Sequence, residues 1–213
     1  MEAQFWHKKW ENNEIGFHQN EFNPFLVKHF SSLSVMAGDR VFLPLCGKTK
    51  DIRWLLSNGY RIAGAELSPL AIEHLFADIG IEPSISTVGR LKHYNAKDID
   101  IFTGDIFNLT RQILGKVDAV YDRAALVAMP AEMRTRYTAH LMDISKTAPQ
   151  LLICYEYDQH LADGPPFSVD HDEVYRHYKD SYNITPILSE DVPGGLKGKC
   201  PAKETVWLLK TQG

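Results

Sequence analysis

The sequence predicts an α/β protein with a doubly wound, mostly parallel sheet and helices on both faces. Over most of the chain, short apolar runs alternate with stretches of helical periodicity, the order expected when crossover helices join parallel strands. Near the end, two closely spaced apolar runs over residues 184–188 and 205–209 indicate an antiparallel finish to the sheet. The chain has 213 residues, 44% of them hydrophobic, which suits one domain with a sizeable core.

The individual elements follow from this periodicity. Apolar runs predict strands at residues 40–45, 60–66, 99–103, 119–122, 151–155, 184–188 and 205–209, with the last strand antiparallel. Polar and apolar residues at helical spacing predict helices over residues 51–57, 69–79 and 131–146. An aromatic segment precedes the first strand, and we expect residues 1–213 to form a single domain.

Composition and charge exclude several classes of function. The formal net charge is −4 and basic residues alternate with acidic ones, so we expect neither a nucleic-acid nor a membrane partner. No signal peptide or long apolar run is present, which predicts a cytoplasmic protein. The sequence has no heptad repeat that would indicate a partner helix, so we expect a monomer. Three cysteines and nine scattered histidines lack the spacing of metal ligands, which predicts free thiols and no metal site.

The first strand and its turn indicate a nucleoside ligand. The run ending in Leu45 is followed by Gly47, and an acid, Glu66, stands about 20 residues later at the end of the second strand. A turn of this kind brings the backbone close to a ligand, and a carboxylate at that spacing accepts hydrogen bonds from ribose hydroxyls. We therefore expect a nucleoside-containing cofactor at this edge of the sheet.

Two common nucleotide motifs do not fit the turn. A P-loop needs a glycine five positions before Gly47, where Phe42 stands, and the glycine triplet of dinucleotide-binding proteins is also missing. Without small residues for a pyrophosphate, NAD and FAD become less suitable ligands. S-adenosylmethionine carries a nucleoside without phosphates and fits the pattern better.

Several motifs together resemble the thiopurine S-methyltransferase family, in order and over nearly the whole chain. They are Trp6 and Trp10, then residues 16–19 (GFHQ), 42–48 (FLPLCGK), 65–68 (AELS), 105–107 (DIF), 121–128 (YDRAALVA) and 164–167 (GPPF). The resemblance implies a seven-stranded, Rossmann-like class I methyltransferase fold that binds S-adenosyl-L-methionine over the carboxyl ends of the strands. It implies that residues 1–35 form an N-terminal helical lid, and it places cofactor contacts at Trp6, Trp10, Leu45, Glu66, Ile106 and Arg123.

The residues around the first turn also have structural readings. Glu66 could instead stabilise the start of the helix that opens near Ser68, because acids are favourable at helix N-termini. Leu45 is plausible as a core residue. Trp6 and Trp10 are four residues apart, so on a helix they share one face, which suits packing as well as a lid.

The later candidates have similar alternatives. Arg123 at the end of the fourth strand suits a carboxylate of the cofactor or a charged acceptor, but it could pair locally with Asp122. Asp105 suits the adenine edge or an ordinary turn. Phe17 is where the family meets the acceptor ring, and stacking suits a planar substrate. Cys46 has no activating partner in the sequence and is interpreted as structural.

Two loops are less informative. Residues 164–167 form either a rigid connection or a lid on the acceptor side. The Gly- and Lys-rich region of residues 193–203 includes Lys197 and Lys199, to which the sequence assigns no role.

The predicted function is transfer of a methyl group from S-adenosyl-L-methionine to an aromatic or heterocyclic thiol of the thiopurine type. The methyl moves in line between two sulfurs, so positioning rather than a metal or an indispensable base supplies the rate, with Arg123 as the one possible catalytic side chain. One alternative is another small soft nucleophile, such as a chalcogen species or a halide. Another, of a different class, is a noncatalytic nucleoside-binding protein or a nucleotide-dependent oxidoreductase.

Overall fold

The computed structural model describes residues 3–212, which form one nine-stranded sheet with helices on both faces. The strand order is β3-β4-β5-β2-β1-β6-β7-β9-β8. The strands are β1 (Arg40–Leu43), β2 (Arg61–Glu66), β3 (Ser84–Val88), β4 (Leu91–Ala96), β5 (Ile99–Thr103), β6 (Ala119–Arg123), β7 (Gln150–Tyr157), β8 (Tyr182–Asp191) and β9 (Ala202–Thr211).

The centre of the sheet is parallel, as the alternating pattern predicts. Strands β5, β2, β1, β6 and β7 pair in parallel, and β9 then pairs antiparallel with both β7 and β8. From β1 the chain adds strands β2 and β5 on one side of the sheet, and then β6 and β7 on the other. The direction of strand addition therefore reverses between the neighbouring strands β1 and β6. In open α/β sheets the ligand crevice lies at such a switch point, at the carboxyl ends of the strands.

The strand count is where the sequence prediction was wrong. The seven predicted strands are all present, but β3 and β4 add an antiparallel hairpin beside β5, which brings the sheet to nine strands. Every side chain of β3 from Ser84 to Thr87 is exposed, so this strand has no apolar face that periodicity can detect. The turn at Gly89, with φ at +59°, closes the hairpin.

The helices are α1 (Ala3–Glu11), α2 (Pro24–His29), α3 (Asp51–Ser57), α4 (Pro69–Ile79), α5 (Arg111–Leu114), α6 (Ala131–Ser145) and α7 (His171–Tyr178). The helices predicted over 51–57, 69–79 and 131–146 correspond to α3, α4 and α6. Capping residues explain the bounds of α4. Ser68 caps its first turn, Pro69 occupies the first helical position, and Gly80 ends the helix in the left-handed conformation.

Two apolar cores hold these helices on the sheet. One contains Phe42 of β1 together with Tyr137 and Leu141 of α6. The other contains Val41 and Leu43, the neighbours of Phe42, packed with residues of α2, α3 and α4. The alternation along β1 therefore buries both faces of the strand. Within residues 3–212, no helix has the length and apolar character needed to cross a bilayer.

Candidate active site

A cavity of about 480 Å³ opens at the carboxyl ends of β1, β2, β5 and β6. Its volume is in the range of small-molecule sites. Helix α1 and residues 16–19 border one side, and residues 165–166 and 192–197 border another. All seven side chains for which the sequence predicts ligand contacts lie on its wall: Trp6, Trp10, Phe17, Leu45, Glu66, Ile106 and Arg123.

Glu66 joins the ends of β1 and β2. Its Oε2 accepts a hydrogen bond of 2.8 Å from the Gly47 backbone N–H, and its Oε1 accepts one of 2.8 Å from the Ser68 N–H. The side chain is buried, and burial raises the pKa of its carboxyl, while the backbone N–H groups act in the opposite direction. A carboxylate has about four acceptor positions, so two N–H bonds leave capacity for ligand hydroxyls.

The helix-start alternative for Glu66 is only partly met by this geometry. Its Oε1 does bind the Ser68 N–H, but the side chain that caps α4 is Ser68 itself, whose Oγ accepts from the Ala71 N–H at 3.4 Å. The other oxygen of Glu66 binds the Gly47 N–H and so fixes the turn after β1 at the cavity.

The turn after β1 is held in an unusual backbone conformation. Leu45 has φ at +48° and Gly47 has φ at +51°, in the left-handed region that a branched residue such as leucine rarely adopts. A Cβ on Gly47 would lie 3.1 Å from Cζ2 of Trp10, so glycine permits the indole to approach the turn. Cys46 between them is buried, and burial raises the pKa of its thiol well above the usual value. Cys46 is therefore a neutral packing residue.

An aromatic cluster closes the cavity near the N-terminus. The ring centroid of Phe17 lies 5.7 Å from that of Trp6 and 5.5 Å from that of Trp10, in edge-to-face geometry. Such pairs add to the stabilisation from burial. The three rings therefore form a packed unit that also faces the cavity.

The end of β6 separates two charges that are adjacent in sequence. Asp122 is fully buried away from the cavity, where it accepts hydrogen bonds from the Tyr137 hydroxyl at 2.8 Å and the Leu126 N–H at 3.1 Å. Burial raises the pKa of this carboxyl to about 6. Arg123 points to the opposite side, on the cavity wall, so the alternative of a local Asp122–Arg123 ion pair was wrong.

The end of β5 supplies a third piece of the wall. Asp105 accepts a hydrogen bond of 3.0 Å from the Phe107 N–H and so caps the short helical turn Ile106–Asn108. Ile106 is nearly buried, and its carbonyl accepts from His140 Nε2 at 2.9 Å. The ordinary turn role of Asp105 is thus present, at a position that also borders the cavity.

Comparison with known proteins gives the family. The thiopurine S-methyltransferase family model matches residues 1–211. The chain is 56% identical over 211 residues to a thiopurine S-methyltransferase of Xanthobacter autotrophicus, with 99% of each chain covered. It is 49% identical over 209 residues to one of Teredinibacter turnerae, with 98% of this chain and 97% of that one covered.

The chain belongs to the thiopurine S-methyltransferase family.

A solved structure supports the fold of this family member. The Burkholderia thailandensis 1,6-didemethyltoxoflavin-N1-methyltransferase, with S-adenosylhomocysteine bound, aligns with a TM-score of 0.66. The alignment covers 99% of this chain and 87% of that one at 14% identity, which shows the fold alone. The Rossmann-like class I methyltransferase fold is confirmed, and as a member of its family the chain is an S-adenosyl-L-methionine-dependent methyltransferase.

The methyltransferase site also contains side chains that the sequence does not single out. Tyr155 of β7 and Glu204 of β9 lie on the cavity wall. Lys197, left without a role, donates a hydrogen bond of 2.7 Å to the Pro165 carbonyl and so joins the two loops on that side. The one sequence feature that marks Glu204 is its position directly before the apolar run 205–209.

Proposed function

We propose that this protein transfers the methyl group of S-adenosyl-L-methionine to the sulfur of an aromatic or heterocyclic thiol of the thiopurine type. The observation that carries the proposal is the mixed character of the cavity wall. One side has the buried Glu66 carboxylate, the tight Gly47 turn and the Trp10 ring beside it, and the other has the Phe17 ring and the proline-containing loop. A nucleoside suits the first side and a flat, apolar acceptor suits the second.

The residues of the first side fit the methyl donor. Glu66 has free acceptor capacity for ribose hydroxyls, and the Gly47 turn permits close backbone approach. Trp10, Leu45 and Ile106 supply apolar surface around the nucleoside. When bound, the donor supplies a methyl group on a positively charged sulfonium.

Arg123 is the cation best placed for a carboxylate of the donor. Within residues 3–212, its guanidinium forms no hydrogen bond or salt bridge, although it is half-buried on the cavity wall. A half-buried guanidinium without a protein partner favours an anionic ligand group. The proposal assigns Arg123 to binding and orientation rather than to proton transfer.

Phe17 and the N-terminal segment face the acceptor. Of the segment 1–35 expected to form a lid, we propose that residues 3–19 act as one, since Trp6 and Trp10 of α1 lie on the cavity wall and pack on Phe17, whereas α2 packs in the core of the sheet. The lid excludes water, which strengthens the attraction between opposite charges inside the site.

The chain accelerates the reaction mainly by positioning. Holding two reactants in line can lower a barrier by roughly 7–11 kcal/mol. A sulfur nucleophile and a sulfonium cancel charge as the methyl moves, so a water-poor site does not oppose this step as bulk water does.

The decisive experiment measures S-adenosylhomocysteine formation with a thiopurine, and with the corresponding purine that lacks sulfur as the control. We expect turnover with the thiopurine alone. If the protein binds S-adenosylhomocysteine but does not methylate the thiopurine, the methyltransferase class stays intact and the thiopurine-type acceptor is refuted.

A further inference from the structure

Glu204 is a charged residue within the apolar part of one face of β9, which ends at exposed Lys210. From Ala202 to Leu208 the side chains that share its face are alanine, valine and leucine, all buried. Glu204 pairs directly with Tyr155 of β7 in the antiparallel register, and both side chains reach the cavity wall. The carboxyl group therefore stands where the apolar core face becomes the cavity.

One oxygen of this carboxyl has no partner. Within residues 3–212, Glu204 Oε1 is inaccessible to solvent and accepts no hydrogen bond. A buried acceptor without a partner costs about 1–3 kcal/mol, and such groups are rare unless a ligand or water completes them. Oε1 itself is turned into the protein, but the carboxyl group lines the cavity, where its other oxygen can accept from a ligand N–H or O–H.

The neighbouring cations do not neutralise this group by direct pairing. Arg123 acts on Glu204 through its charge, but the two side chains form no salt bridge in the described chain. The Lys197 ammonium donates to the Pro165 carbonyl instead. Tyr155 is the polar neighbour on β7; burial raises the pKa of the Glu204 carboxyl, and the Tyr155 hydroxyl acts in the opposite direction by favouring the charged form.

We propose that the Glu204 carboxylate accepts, through the oxygen that faces the cavity, the ring N–H next to the thiocarbonyl carbon of a heterocyclic acceptor, and takes that proton as the sulfur is methylated. The inference rests on the proposed function and adds a residue for acceptor recognition and proton removal. It concerns acceptors in the thione form, in which the proton is on nitrogen and the sulfur is doubly bonded to carbon.

The step balances in atoms and charge. The sulfur forms a bond to the methyl carbon, and the bond between that carbon and the donor sulfonium breaks. The N–H proton passes to the Glu204 carboxylate, and the electron pair of the N–H bond forms the ring C=N bond as C=S becomes C–S. A positive donor and a negative carboxylate become two neutral groups, which a water-poor site favours.

Burial makes this carboxylate a better proton acceptor. It raises the pKa of Glu204, and the opposing influences of Tyr155 and Arg123 do not reverse that direction. Since general-base efficiency rises with the basicity of the acceptor group, a raised pKa suits the role.

The test compares two acceptors in the full-length protein. A heterocyclic thione offers the ring N–H, whereas a benzenethiol has sulfur but no such proton. We expect Glu204→Gln to lower kcat for the thione about 100-fold, the range of a lost general base. With benzenethiol kcat should stay within about twofold, since that thiolate needs no proton acceptor. Glu190→Gln is the matched control, because Glu190 is exposed and pairs with Glu204 from β8.

A binding titration gives a second measurement that does not depend on turnover. Glu204→Leu continues the apolar face of β9, so we expect it to fold, as thermal melting will check. The complex of this variant with S-adenosylhomocysteine should bind the thione at least about tenfold more weakly. Its affinity for the S-methylated product, which has lost the N–H, should be unchanged.

Two results would overturn the inference: equal losses with both acceptors, or no loss with either. Failure of the wild-type protein to methylate any thiopurine would refute the proposed function instead. In that event the titration still decides whether Glu204 recognises the ring N–H.

Discussion

Three buried or half-buried carboxylates have different roles because they have different partners. Asp122 is satisfied by Tyr137 and Leu126 and stabilises the end of β6. Glu66 is satisfied by Gly47 and Ser68 yet remains on the cavity wall. Glu204 retains an oxygen without a partner. At the scale of a residue, the number of carboxylate acceptor positions without a hydrogen bond distinguishes a structural carboxylate from one that is suited to ligand binding.

Substitution of Glu66 tests its place at the nucleoside. Glu66→Gln keeps the size of the side chain but replaces one acceptor oxygen with a donor, so one of the two backbone N–H groups loses its partner. We expect the affinity for S-adenosylhomocysteine to fall at least about tenfold, since hydrogen bonds to charged groups contribute roughly 1.5–3 kcal/mol. Calorimetric titration measures this, with exposed Glu73→Gln on α4 as the control. Unaltered affinity would remove Glu66 from the cofactor site.

Asp122 predicts a pH dependence of stability. Burial raises the pKa of its carboxyl from 3.8 to about 6, so the folded state holds the proton more tightly than the unfolded state. The resulting stabilisation is complete below pH 3.8 and is lost as the pH rises through about 6. Relative to Asp122→Asn, the wild type should lose about 2 kcal/mol between pH 4.5 and pH 7.5. Urea unfolding at both pH values checks this, and a constant difference between the two proteins would contradict it.

What the sequence can predict of single residues depends on distance along the chain. The ligand roles of Glu66 and Arg123 are predicted from their positions at strand ends, and the structure brings both to the cavity wall while their contacts with ligand stay a prediction. The separation of Asp122 from Arg123 follows from the alternation of side chains along β6, but the hydrogen bond that satisfies Asp122 is not predictable in this way, because Tyr137 reaches it from α6. Glu204 is hidden for the same reason, since its partner strand lies far away in sequence.

At the scale of elements, β2 packs tightly against β5 and against the turn after β1. A Cβ on Gly64 would lie 2.5 Å from Cδ1 of Ile101 and 3.0 Å from Sγ of Cys46. Ile101 is completely buried in the neighbouring strand β5, so it has no space to move aside. Glycine at this position allows β1, β2 and β5 to support the cavity at their carboxyl ends.

Gly64→Ala should therefore destabilise the protein. Inserting a methyl group into a packed core costs typically 1–3 kcal/mol, and we expect a loss in that range. Gly16→Ala is the matched control, because a Cβ at Gly16 meets nothing within 4 Å. Its stability should change by less than about 0.5 kcal/mol. Urea midpoints measure both, and a Gly64→Ala midpoint equal to the wild type would show that β5 yields.

The elements themselves differ in how far the sequence predicts them. The bounds that helical spacing predicts for α4 agree with the structure, where Ser68, Pro69 and Gly80 mark its ends chemically. The β3–β4 hairpin is missed because the exposed strand β3 has no periodic apolar face. Such a strand depends on its pairing with β4 rather than on its own sequence.

At the scale of the whole molecule, the cavity joins distant parts of the chain. Its wall includes Trp6 and Phe17 near the start, Glu66 and Arg123 from the centre of the sheet, and Glu204 near the end. The alternation of strands and helices predicts the parallel sheet, and the switch point between β1 and β6 predicts where the cavity opens. The wall residues from the N-terminal segment and β9 are set by tertiary packing.

A ligand that touches so many elements should stabilise the whole fold. At 100 times its dissociation constant, S-adenosylhomocysteine is expected to add about 2.7 kcal/mol to the free energy of unfolding. For a chain of this length that corresponds to a rise in Tm of about 5–10 °C.

The same melting experiment separates the candidate cofactors. NAD should leave Tm unchanged, because the turn at Gly47 lacks the small residues that admit a pyrophosphate. Glu66→Gln should show a smaller rise with S-adenosylhomocysteine at the same concentration, since it binds the ligand more weakly while α1 and β9 are unchanged. A rise with NAD alone would mean that the Gly47 turn accommodates phosphates after all, and that the carboxylate beside it serves a dinucleotide.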